Sequence, residues 1–466
     1  MMTHALRLKL TLIPAIALLA ACAGNPERLD APLGKGFARS AGTTPAVSHI
    51  DRYEVLLPAR ERLPYQGRHA SEFGTSLPFA PGSGLSYRST QADGSLLFWG
   101  IGDRGPNGDS PRIDINGKLH ASKVFLTPDF VPRLAEILVT PGQQARVTRS
   151  IPLSYDGQLA SGLPIAPGNT GATGEVALDE RLQPLPFSPR GLDPESIATD
   201  RAGNFWLSDE YGPFIVQADP QGRVLRQFAP GKGLPAILAQ RQPNRGFEGL
   251  AITPSGKIYA AVQSTLDVDG KTKNTARFIR IVELDPASGV TRQFAYPLDL
   301  NDYARPGDTK LGDLVAIDDS HFALIDQGLG KHGMRNVVYV IDIATAEDIS
   351  TRQTHSGQAL EYASASELAE LQFIRKQRVF DLRELGWEAE KAEGLALIPG
   401  GIAVINDNDF SMQTRISGDK GSDAGAYTIR AGQLSDRGSY QLGPNGEPTQ
   451  LWLIHLKRPL QDYFPH

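Results

Sequence analysis

The stretch Glu248-Gly-Leu-Ala-Ile-Thr-Pro-Ser-Gly-Lys-Ile-Tyr-Ala-Ala-Val-Gln263 decides the fold of this chain. It contains an acid, a short apolar strand, a Pro-Ser-Gly turn, a second apolar strand and a closing polar residue. Two short strands joined by a tight turn form a β-hairpin. Because a hairpin folds its ends together, Glu248 and Gln263 are expected to lie at the same end of the pair.

The same pattern occurs in three further segments, at residues 195–209, 313–326 and 393–407, and a looser copy covers residues 82–103. Recurrence at intervals of tens of residues is typical of repeat architectures. The intervals leave room for outer strands, such as residues 277–284 and 336–342. Four strands per repeat around a central channel is the arrangement of a β-propeller, so we predict an all-β propeller.

The number of blades follows from the spacing. Between Asp103 and Glu195 there is room for one more blade, in which residues 123–126 and 135–139 would be strands. This predicts six blades, and the irregular spacing leaves five or seven open. Residues 366–378 carry a helical pattern with Ser366 as its N-cap, which we interpret as a short helical insertion between blades. A β-sandwich is the alternative architecture.

The N-terminus has the features of an export signal. Arg7 and Lys9 precede an uncharged apolar run at residues 10–21, shorter than the roughly 20 residues that a spanning helix needs. Basic, apolar and small residues in this order are typical of a signal peptide, and Leu19-Ala-Ala-Cys22 resembles the bacterial lipobox. We therefore predict a signal peptide at residues 1–21 and lipid attachment at Cys22, the only cysteine of the chain. An ordinary secretory signal is the alternative.

A flexible tether is predicted at residues 22–47, ahead of the propeller domain at residues 48–466. The segment is rich in Gly, Pro, Ser, Thr and Ala and lacks periodicity, which favours disorder. The lipobox resemblance implies that the lipid holds the protein at a membrane. Ala23 stands where an Asp often signals inner-membrane retention, so the periplasm-facing outer membrane is preferred.

Composition argues against several classes of protein. The chain is 40% apolar and 21% charged, an ordinary globular balance. Its net charge of −5 and the lack of a basic run argue against a nucleic-acid partner, and we expect a monomer. The sequence has no Gly-x-Ser-x-Gly, His-x-x-x-His or His-Glu-x-x-His pattern, so neither an elbow-type serine esterase nor a zinc hydrolase has support.

The hairpin ends supply a set of acids. If each hairpin belongs to a blade, these acids gather at one mouth of the channel: Glu195, Asp209, Glu248, Asp313, Asp326, Glu393 and Asp407. Like charges held close together raise each other's pKa, and a bound cation relieves the repulsion. Because carboxylate oxygens suit Ca²⁺, we predict that these residues are its ligands. The alternative is structural, with the acids capping turns and accepting hydrogen bonds from backbone N–H groups.

Several segments resemble a known family. The following are similar to motifs of the phytase-like propeller family, whose members are described as having an esterase-like activity of phytase: Asp193-Pro-Glu-Ser-Ile197, Leu207-Ser-Asp-Glu-Tyr-Gly212, Asn244-Arg-Gly-Phe-Glu-Gly-Leu-Ala251, Ala392-Glu-Gly-Leu-Ala396 and Asn406-Asp-Asn-Asp-Phe410. Gly84-Leu-Ser86 and Asp103-Arg-Gly-Pro106 are similar to its early motif. The chain departs from the family pattern at Gln263, where an acid is common, and at Asp326-Gln327, where a Glu-Arg pair is common.

The acids and the resemblance together imply an exported, metal-assisted hydrolase of phosphoesters or carboxylic esters. A Ca²⁺ ion in the mouth can hold a phosphate or polarise an ester carbonyl, and acids that bind no ion can activate water. Arg104 is the best candidate cation for a small anionic or ester substrate. The candidate catalytic residues are Asp103, Arg104, Glu195, Glu210, Glu248, Glu393 and Asp409. The alternative is a non-catalytic propeller that binds a ligand or another envelope protein.

Overall fold

β-Strands account for most of the regular structure in the computed structural model, which describes residues 36–464. Within these residues the α-helices are two single turns, α1 (Ala70–Phe73) and α2 (Ala365–Leu368). No helix in this part of the chain has the length and apolar character needed to cross a bilayer. The all-β prediction is confirmed. The predicted signal peptide, Cys22 and residues 22–35 of the tether lie outside the described residues.

The strands are, in chain order, β1 Phe37–Ala41, β2 Val47–Leu56, β3 Leu63–Pro64, β4 Ser76–Leu77, β5 Gly84–Thr90, β6 Leu96–Ile101, β7 Asn107–Asp109, β8 Arg112–Ile115, β9 Lys118–His120, β10 Ser122–Phe125, β11 Arg133–Thr140, β12 Gln144–Pro152, β13 Ser154–Tyr155, β14 Gln158–Leu159, β15 Val176–Leu178, β16 Pro194–Thr199, β17 Phe205–Asp209, β18 Phe214–Ala218, β19 Val224–Pro230, β20 Gly233–Leu234, β21 Phe247–Ile252, β22 Ile258–Val262, β23 Phe278–Leu284, β24 Thr291–Pro297, β25 Lys310–Ala316, β26 His321–Gly330, β27 Gly333–Asp342, β28 Arg375–Asp381, β29 Gly394–Ile398, β30 Gly401–Ile405, β31 Met412–Gly418, β32 Thr428–Arg430, β33 Gln433–Leu434, β34 Gly438–Pro444 and β35 Gln450–Leu456. Short 3₁₀ turns lie at Ala59–Glu61, Ala236–Gln240, Val268–Gly270, Pro306–Asp308, Leu360–Tyr362, Leu382–Leu385, Asp409–Ser411, Ala424–Ala426 and Leu460–Tyr463.

Five antiparallel groups of four strands form the body of the domain, and each is called a blade. Blade 1 contains β5, β6, β11 and β12; blade 2, β16 to β19; blade 3, β21 to β24; blade 4, β25 to β28; and blade 5, β29, β30, β35 and β2. The first strand of each blade packs against the first strand of the next, and β29 packs against β5 again. The inner strands therefore close a ring, which is the arrangement of a propeller.

The hairpins expected from the repeats are all present. The four repeats correspond to the pairs β16–β17, β21–β22, β25–β26 and β29–β30, and the looser copy is β5–β6. The expected outer strands correspond to β23 and β27. Each repeat therefore supplies the two inner strands of its blade.

Glycine allows the inner strands to approach one another closely. A Cβ added to Gly249 in β21 would lie 2.6 Å from the amide nitrogen of Leu314 in β25, and one added to Gly394 in β29 would lie 2.9 Å from Cβ of Leu85 in β5. Both glycines directly follow the acid of their repeat, so the acid lies where two inner strands are in contact. On the axis, a cavity of about 250 Å³ is lined by three consecutive residues from each inner strand.

Apolar side chains from neighbouring blades pack against one another. One buried cluster joins Trp206 of blade 2, Ile281 of blade 3 and Leu324 of blade 4. Another joins Val338 of blade 4 to Trp452 of blade 5. This packing holds the inner strands in place and thereby positions the acids at their ends.

The strand β2 completes blade 5 although it comes from the opposite end of the sequence. Arg52 of β2 pairs with Trp452 of β35, and its guanidinium lies 4.2 Å from the centre of the Trp452 ring. β1 pairs with β2, and Arg39 of β1 contacts both oxygens of Asp51 over 2.5 and 2.7 Å. Residues 36–47 were assigned to the tether from composition, but Phe37–Ala41 form β1 and Val47 begins β2 in this sheet. Composition did not reveal that their backbone pairs with an exposed strand edge.

The count of six blades is not confirmed, since residues 36–464 contain five. Residues 135–139 belong to β11 in blade 1, where Ile137 pairs with Phe98 of β6. Residues 123–125 lie in β10, which pairs with β7 and β15 in a separate small sheet. Both apolar runs are strands, but a strand pattern does not specify its partner.

The helix predicted at residues 366–378 is wrong for most of its length. α2 ends at Leu368, and its N-cap is Ser364, which forms a capping box with Glu367. Residues 375–378 lie in β28, where Lys376 pairs with Ile341 of β27. Pairing with the edge of blade 4 overrides the helical pattern, as tertiary contacts often do.

Candidate functional site

Three glutamates from three blades meet where the inner strands begin. Glu195 lies in β16, Glu248 in β21, and Glu393 directly before β29. Each offers a carboxylate oxygen, these oxygens lie within 4.8 Å of one another, and all three residues are buried. These residues are called the glutamate triad. The structure thus brings together three of the acids that the repeat pattern singled out.

A second carboxylate group shares Glu195 with the triad. Asp193, Glu195 and Glu210 also offer oxygens within 4.8 Å of one another, and all three are buried. Asp193 directly precedes β16 and Glu210 directly follows β17. Sequence reasoning singled out Glu210 but missed Asp193, although Asp193 opens one of the quoted family-like motifs.

Crowding makes full ionisation of these acids unfavourable. Burial raises the pKa of Glu195 well above its ordinary value, and the carboxylates of Asp193, Glu248, Glu210 and Glu393 raise it further. Burial also raises the pKa of Glu210 and Glu393 well above the ordinary range and that of Glu248 to about 7. Ionising these acids together is therefore unfavourable unless positive charge lies close to them.

Gln263 holds two of the acids through one nitrogen. Its Nε2 donates to Glu248 Oε2 over 2.7 Å and to Glu210 Oε1 over 2.9 Å. The sequence interpretation treated Gln263 as a gap in a ring of charges. In the structure it is a buried hydrogen-bond donor between two carboxylates, a role that an ionised acid at this position cannot fill.

Arg104 is buried, and its guanidinium forms ion pairs with acids of the protein. Its Nη1 lies 3.1 Å from Glu175 Oε1, and its Nε lies 3.5 Å from Asp193 Oδ2. The guanidinium also lies 5.6 Å from the ring centre of Tyr211. Arg104 therefore offsets the charge of the Asp193 group, whereas the sequence predicted a contact with substrate. Glu175 lies outside every repeat, so no pattern pointed to it.

Asp103 is a buried acid. Its Oδ1 accepts a hydrogen bond from the Gly105 N–H over 2.8 Å. Burial raises the pKa of Asp103 well above its ordinary value, and the carboxylates of Asp407 and Asp193 raise it further. Asp103 is thus electrostatically coupled both to the Asp193 group and to the acid at the end of β30.

Lys391 contacts the acids around the end of β30. Its Nζ lies 2.6 Å from Asp407 Oδ2, 2.8 Å from Asp409 Oδ1 and 3.9 Å from Glu393 Oε2. Burial alone would lower the pKa of Lys391, but these three carboxylates raise it well above its ordinary value. Lys391 therefore stays charged. Sequence reasoning did not single it out, although it directly precedes a quoted motif.

A left-handed turn places Asp409 beside this lysine. Asp409, Phe410 and Ser411 have φ values of 50°, 53° and 55°, a conformation that costs on the order of 1–3 kcal/mol per residue outside glycine. The buried Phe410 ring packs edge-on against Phe130 at 5.5 Å, and Ser411 Oγ donates to the Glu447 carbonyl over 2.7 Å. These contacts hold the turn and with it the position of Asp409.

Two of the sequence-predicted metal ligands are used as hydrogen-bond acceptors by the protein itself. Asp209 accepts from the Asp193 and Gly212 N–H groups, both over 2.7 Å. Asp313 accepts from Ser196 Oγ over 2.6 Å and from the Leu395 N–H over 2.9 Å, which links blades 2, 4 and 5. Neither residue belongs to the two carboxylate groups described above.

Asp326 occupies an environment of its own. Its two oxygens accept hydrogen bonds from the hydroxyls of Tyr296 and Tyr303, both over 2.8 Å, and Lys376 Nζ lies 3.7 Å away. The structure does not bring Asp326 into either carboxylate group. Its place in the repeat matches that of Asp407, but its partners are two tyrosines and a lysine.

An open cavity of about 450 Å³ borders the triad at Glu393. It is lined by four basic residues, Arg245, Arg305, Lys310 and Lys391, and by three acids, Asp308, Glu390 and Glu393. Arg305 pairs with Asp308 over 2.8 Å. Leu329 and Met334, from the end of the β26–β27 hairpin, add apolar surface, and Leu329 is 65% exposed. A cavity with cations on its wall and a carboxylate group beside it can hold an anionic ester next to the triad.

The triad fits a divalent cation such as Ca²⁺. Its ligand atoms are all carboxylate oxygens, which hard cations prefer. Within residues 36–464, neither Glu195 nor Glu248 forms an ion pair with a lysine or arginine, whereas Asp193 and Asp407 do. Within the triad, Glu393 is the residue with a lysine at ion-pair distance, Lys391 at 3.9 Å.

Comparison with known proteins agrees with the motifs. Residues 78–410 match the phytase-like family, described by an esterase-like activity of phytase. An uncharacterized secreted protein of Arthroderma benhamiae is 26% identical over 270 residues, which are 48% of this chain and 50% of that protein. The chain thus spans about half the length of this curated relative.

Two solved structures show a distant likeness. A protein from Lactobacillus plantarum is 12% identical with a TM-score of 0.33, covering 89% of this chain and 99% of its own. A catalytically inactive virginiamycin B lyase from Staphylococcus aureus, solved with quinupristin, is 8% identical with a TM-score of 0.29, covering 87% and 99%. At such TM-scores neither structure informs on activity. The family match spans both carboxylate groups and most of the propeller, and the chain belongs to the phytase-like family.

Proposed function

We propose that this protein is an exported hydrolase of phosphoesters or carboxylic esters, assisted by a Ca²⁺ ion at the glutamate triad. One observation carries the proposal: Glu393 belongs both to the triad and to the wall of the basic cavity. A hydrolase of anionic esters needs a wall that holds the anion and, beside it, groups that act on the ester bond. These two requirements meet at Glu393.

The cavity wall supplies the binding groups. Arg245 is fixed by a hydrogen bond from its Nη1 to the Gly307 carbonyl over 2.5 Å. Lys310 begins β25 and faces the same cavity. Together with Arg305, these residues would hold the anionic part of a substrate, leaving its ester group towards Glu393. Leu329 and Met334 would contact an apolar part of the substrate where one is present.

The carboxylates supply the chemistry. When bound, the Ca²⁺ ion would polarise the phosphoryl or carbonyl oxygen and offset negative charge that develops on it. Glu210 lies outside the triad but within the group that shares Glu195, and Gln263 orients its carboxylate. We assign Glu210 the role of the base that takes a proton from the attacking water. Arg104 pairs with Glu175 and Asp193, and Lys391 pairs with Asp407 and Asp409. Asp103 and Asp409 would contribute through the position and the negative charge of their carboxylates.

A hydrolase assay tests the proposal. Purified protein would be assayed on p-nitrophenyl phosphate and p-nitrophenyl acetate, each with Ca²⁺ and with a chelator. Activity on at least one ester, lost in chelator and restored by Ca²⁺, is expected. Glu393→Gln and Glu248→Gln should lower kcat/KM at least tenfold, while Glu388→Gln, at an exposed position, should leave it unchanged. No Ca²⁺-dependent turnover of either ester would contradict the proposal.

A second candidate function, a propeller that binds a ligand or partner without catalysis, is favoured by one feature. Asp209, Asp313 and Asp326 are all used by hydrogen bonds within the protein. These three aspartates are therefore not needed as functional groups at the mouth. The acids that remain are as suitable for binding a ligand as for catalysis. Ca²⁺ binding detected by calorimetry, together with no hydrolysis of either ester, would favour this function.

Export and lipid attachment are further parts of the proposal. Their support is the lipobox-like Leu19-Ala-Ala-Cys22 and the match to a protein described as secreted. We propose a lipid anchor at Cys22 in the periplasm-facing outer membrane. Cys22→Ser should leave the protein unprocessed or soluble after cell fractionation. Acylated Cys22→Ser protein in the membrane fraction would contradict the anchor.

A further inference from the structure

Two cations that belong to the protein flank the glutamate triad. Arg104 pairs with Glu175 and Asp193. Lys391 pairs with Asp407 and Asp409 and approaches Glu393. Between them, Glu195 and Glu248 have no lysine or arginine within ion-pair distance in the part of the chain that the structure describes. The mouth therefore contains acids that are already paired and acids that are not.

The ammonium group of Lys391 is surrounded by carboxylates, as a bound metal ion would be. Its ammonium contacts three carboxylates, which come from residues on both sides of the β29–β30 hairpin. The two short contacts, 2.6 and 2.8 Å, have the lengths of charge-assisted hydrogen bonds. The atoms around this ammonium are carboxylate oxygens, the type of ligand that Ca²⁺ prefers.

We propose that Lys391 is a resident counter-ion that takes the place of a second divalent cation, so that the mouth binds one Ca²⁺ ion and not two. The ion binds at Glu195, Glu248 and Glu393, and Asp407 and Asp409 are reserved for the lysine. This inference rests on the proposed function, because it assumes that the triad binds Ca²⁺.

Electrostatics explains the exclusion. A divalent cation at Asp407 would lie within a few ångströms of the Lys391 ammonium, and the repulsion between like charges is strong where water is scarce. Glu393 lies between the two positions, 3.9 Å from the lysine and within reach of Glu195 and Glu248. Because its contact with Lys391 is the longest of the three, Glu393 is the acid that remains available to an ion.

The stoichiometry of Ca²⁺ binding tests this. The mature chain would be titrated with Ca²⁺ by calorimetry, and bound ions would be counted by native mass spectrometry. We expect one ion in the wild type, one in Lys391→Arg, and two in Lys391→Met, which is one atom shorter, unbranched like lysine, and removes the charge. Lys420→Met is the matched control, since Lys420 pairs with Asp436 outside the mouth over 2.6 Å; it should bind one ion.

Each outcome of this experiment either supports or overturns the inference. Two or more ions, or none, in the wild type overturn the inference, and so does a single ion in folded Lys391→Met. If Lys391→Met does not fold, the variant that combines it with Asp407→Asn and Asp409→Asn removes the acids with their cation and should bind one ion; loss of that ion overturns the inference. A wild type that binds one ion but hydrolyses no ester contradicts the proposed function and leaves this inference intact. A wild-type protein that hydrolyses esters with two bound ions supports the proposed function and overturns this inference.

Discussion

Gln263 and Glu248 are joined by a buried 2.7 Å hydrogen bond from an amide nitrogen to a carboxylate oxygen. Glu248 lies near the start of the first strand of the β21–β22 hairpin, and Gln263 directly follows its second strand. Because the two strands are antiparallel, these residues are brought together at the open end of the hairpin. The neutral side chain separates Glu248 from Glu210 without adding charge.

Changing Gln263 should therefore lower the stability of the folded protein, and a charged replacement should make that stability depend more strongly on Ca²⁺. Gln263→Glu adds a charge to a crowded group, so it should lower the melting temperature in chelator and gain more from Ca²⁺ than the wild type. Gln263→Met removes a donor from two buried acceptors and should cost about 1–3 kcal/mol of unfolding free energy. Gln377→Glu, at an exposed site on β28, serves as the control in urea unfolding and should change stability by less than about 0.5 kcal/mol. Equal behaviour of Gln263→Glu and this control would show that an added charge at position 263 does not matter.

Glu248→Gln should weaken the response to Ca²⁺ while preserving the fold. A ligand that binds only the folded state stabilises it, by about 2.7 kcal/mol at one hundred times its Kd. We expect the wild type to gain melting temperature at millimolar Ca²⁺, and Glu248→Gln and Glu393→Gln to lose most of that gain. Glu388→Gln should respond as the wild type does. If the wild type shows no shift and calorimetry finds no binding, the acids are better explained as contacts between blades.

Stability in chelator should fall as pH rises. Burial raises the pKa of Glu248 from an ordinary value of 4.5 to about 7 in the folded protein. Between these values the folded state holds a proton that the unfolded chain has released, so stability present in full at low pH is lost as pH rises through about 7. Denaturant unfolding at pH 5, 6, 7 and 8 in chelator should show this decline, and Glu248→Gln should reduce its slope. A rise in stability over this range would contradict the assignment.

Asp326→Asn should destabilise the protein without changing its response to Ca²⁺. Each oxygen of Asp326 accepts a hydrogen bond from one tyrosine hydroxyl. An amide offers one acceptor oxygen instead of two, so one tyrosine O–H loses its acceptor and can only receive a hydrogen bond from the new NH2 group; this should cost about 1–3 kcal/mol. The measurement is urea unfolding with and without Ca²⁺. Loss of the Ca²⁺ gain in this variant would restore Asp326 as a metal ligand.

The repeats were sufficient to predict the inner half of each blade. The pattern around Glu248 and Glu393 encodes a local hairpin, and local pairing is determined by residues close in sequence. The third and fourth strands of blade 1 and the partner of β2 were not predictable in this way. Ile137 pairs with Phe98, and Arg52 with Trp452, and nothing in an alternating apolar strand identifies a distant partner.

The site was predictable to a similar extent. Glu195, Glu248 and Glu393 were found because they repeat. Asp326 repeats as well, but two tyrosines from other segments determine its role, and repetition carries no information about them. Lys391 was missed for the same reason, since its importance lies in the three carboxylates around it and not in any sequence spacing.

The completion of blade 5 by β2 has a consequence for assembly. β2 also pairs with β1 and, in parallel, with β12. Because β2 is made long before β35, the edge of β2 that pairs with β35 has no partner until residues 450–456 are available, and the joining of these two strands is a late step that links distant parts of the chain. A β2 strand that is released from its own β35 can pair with the β35 of a second molecule instead. Such an exchange would produce a domain-swapped dimer in which every blade is complete and both glutamate triads are unchanged.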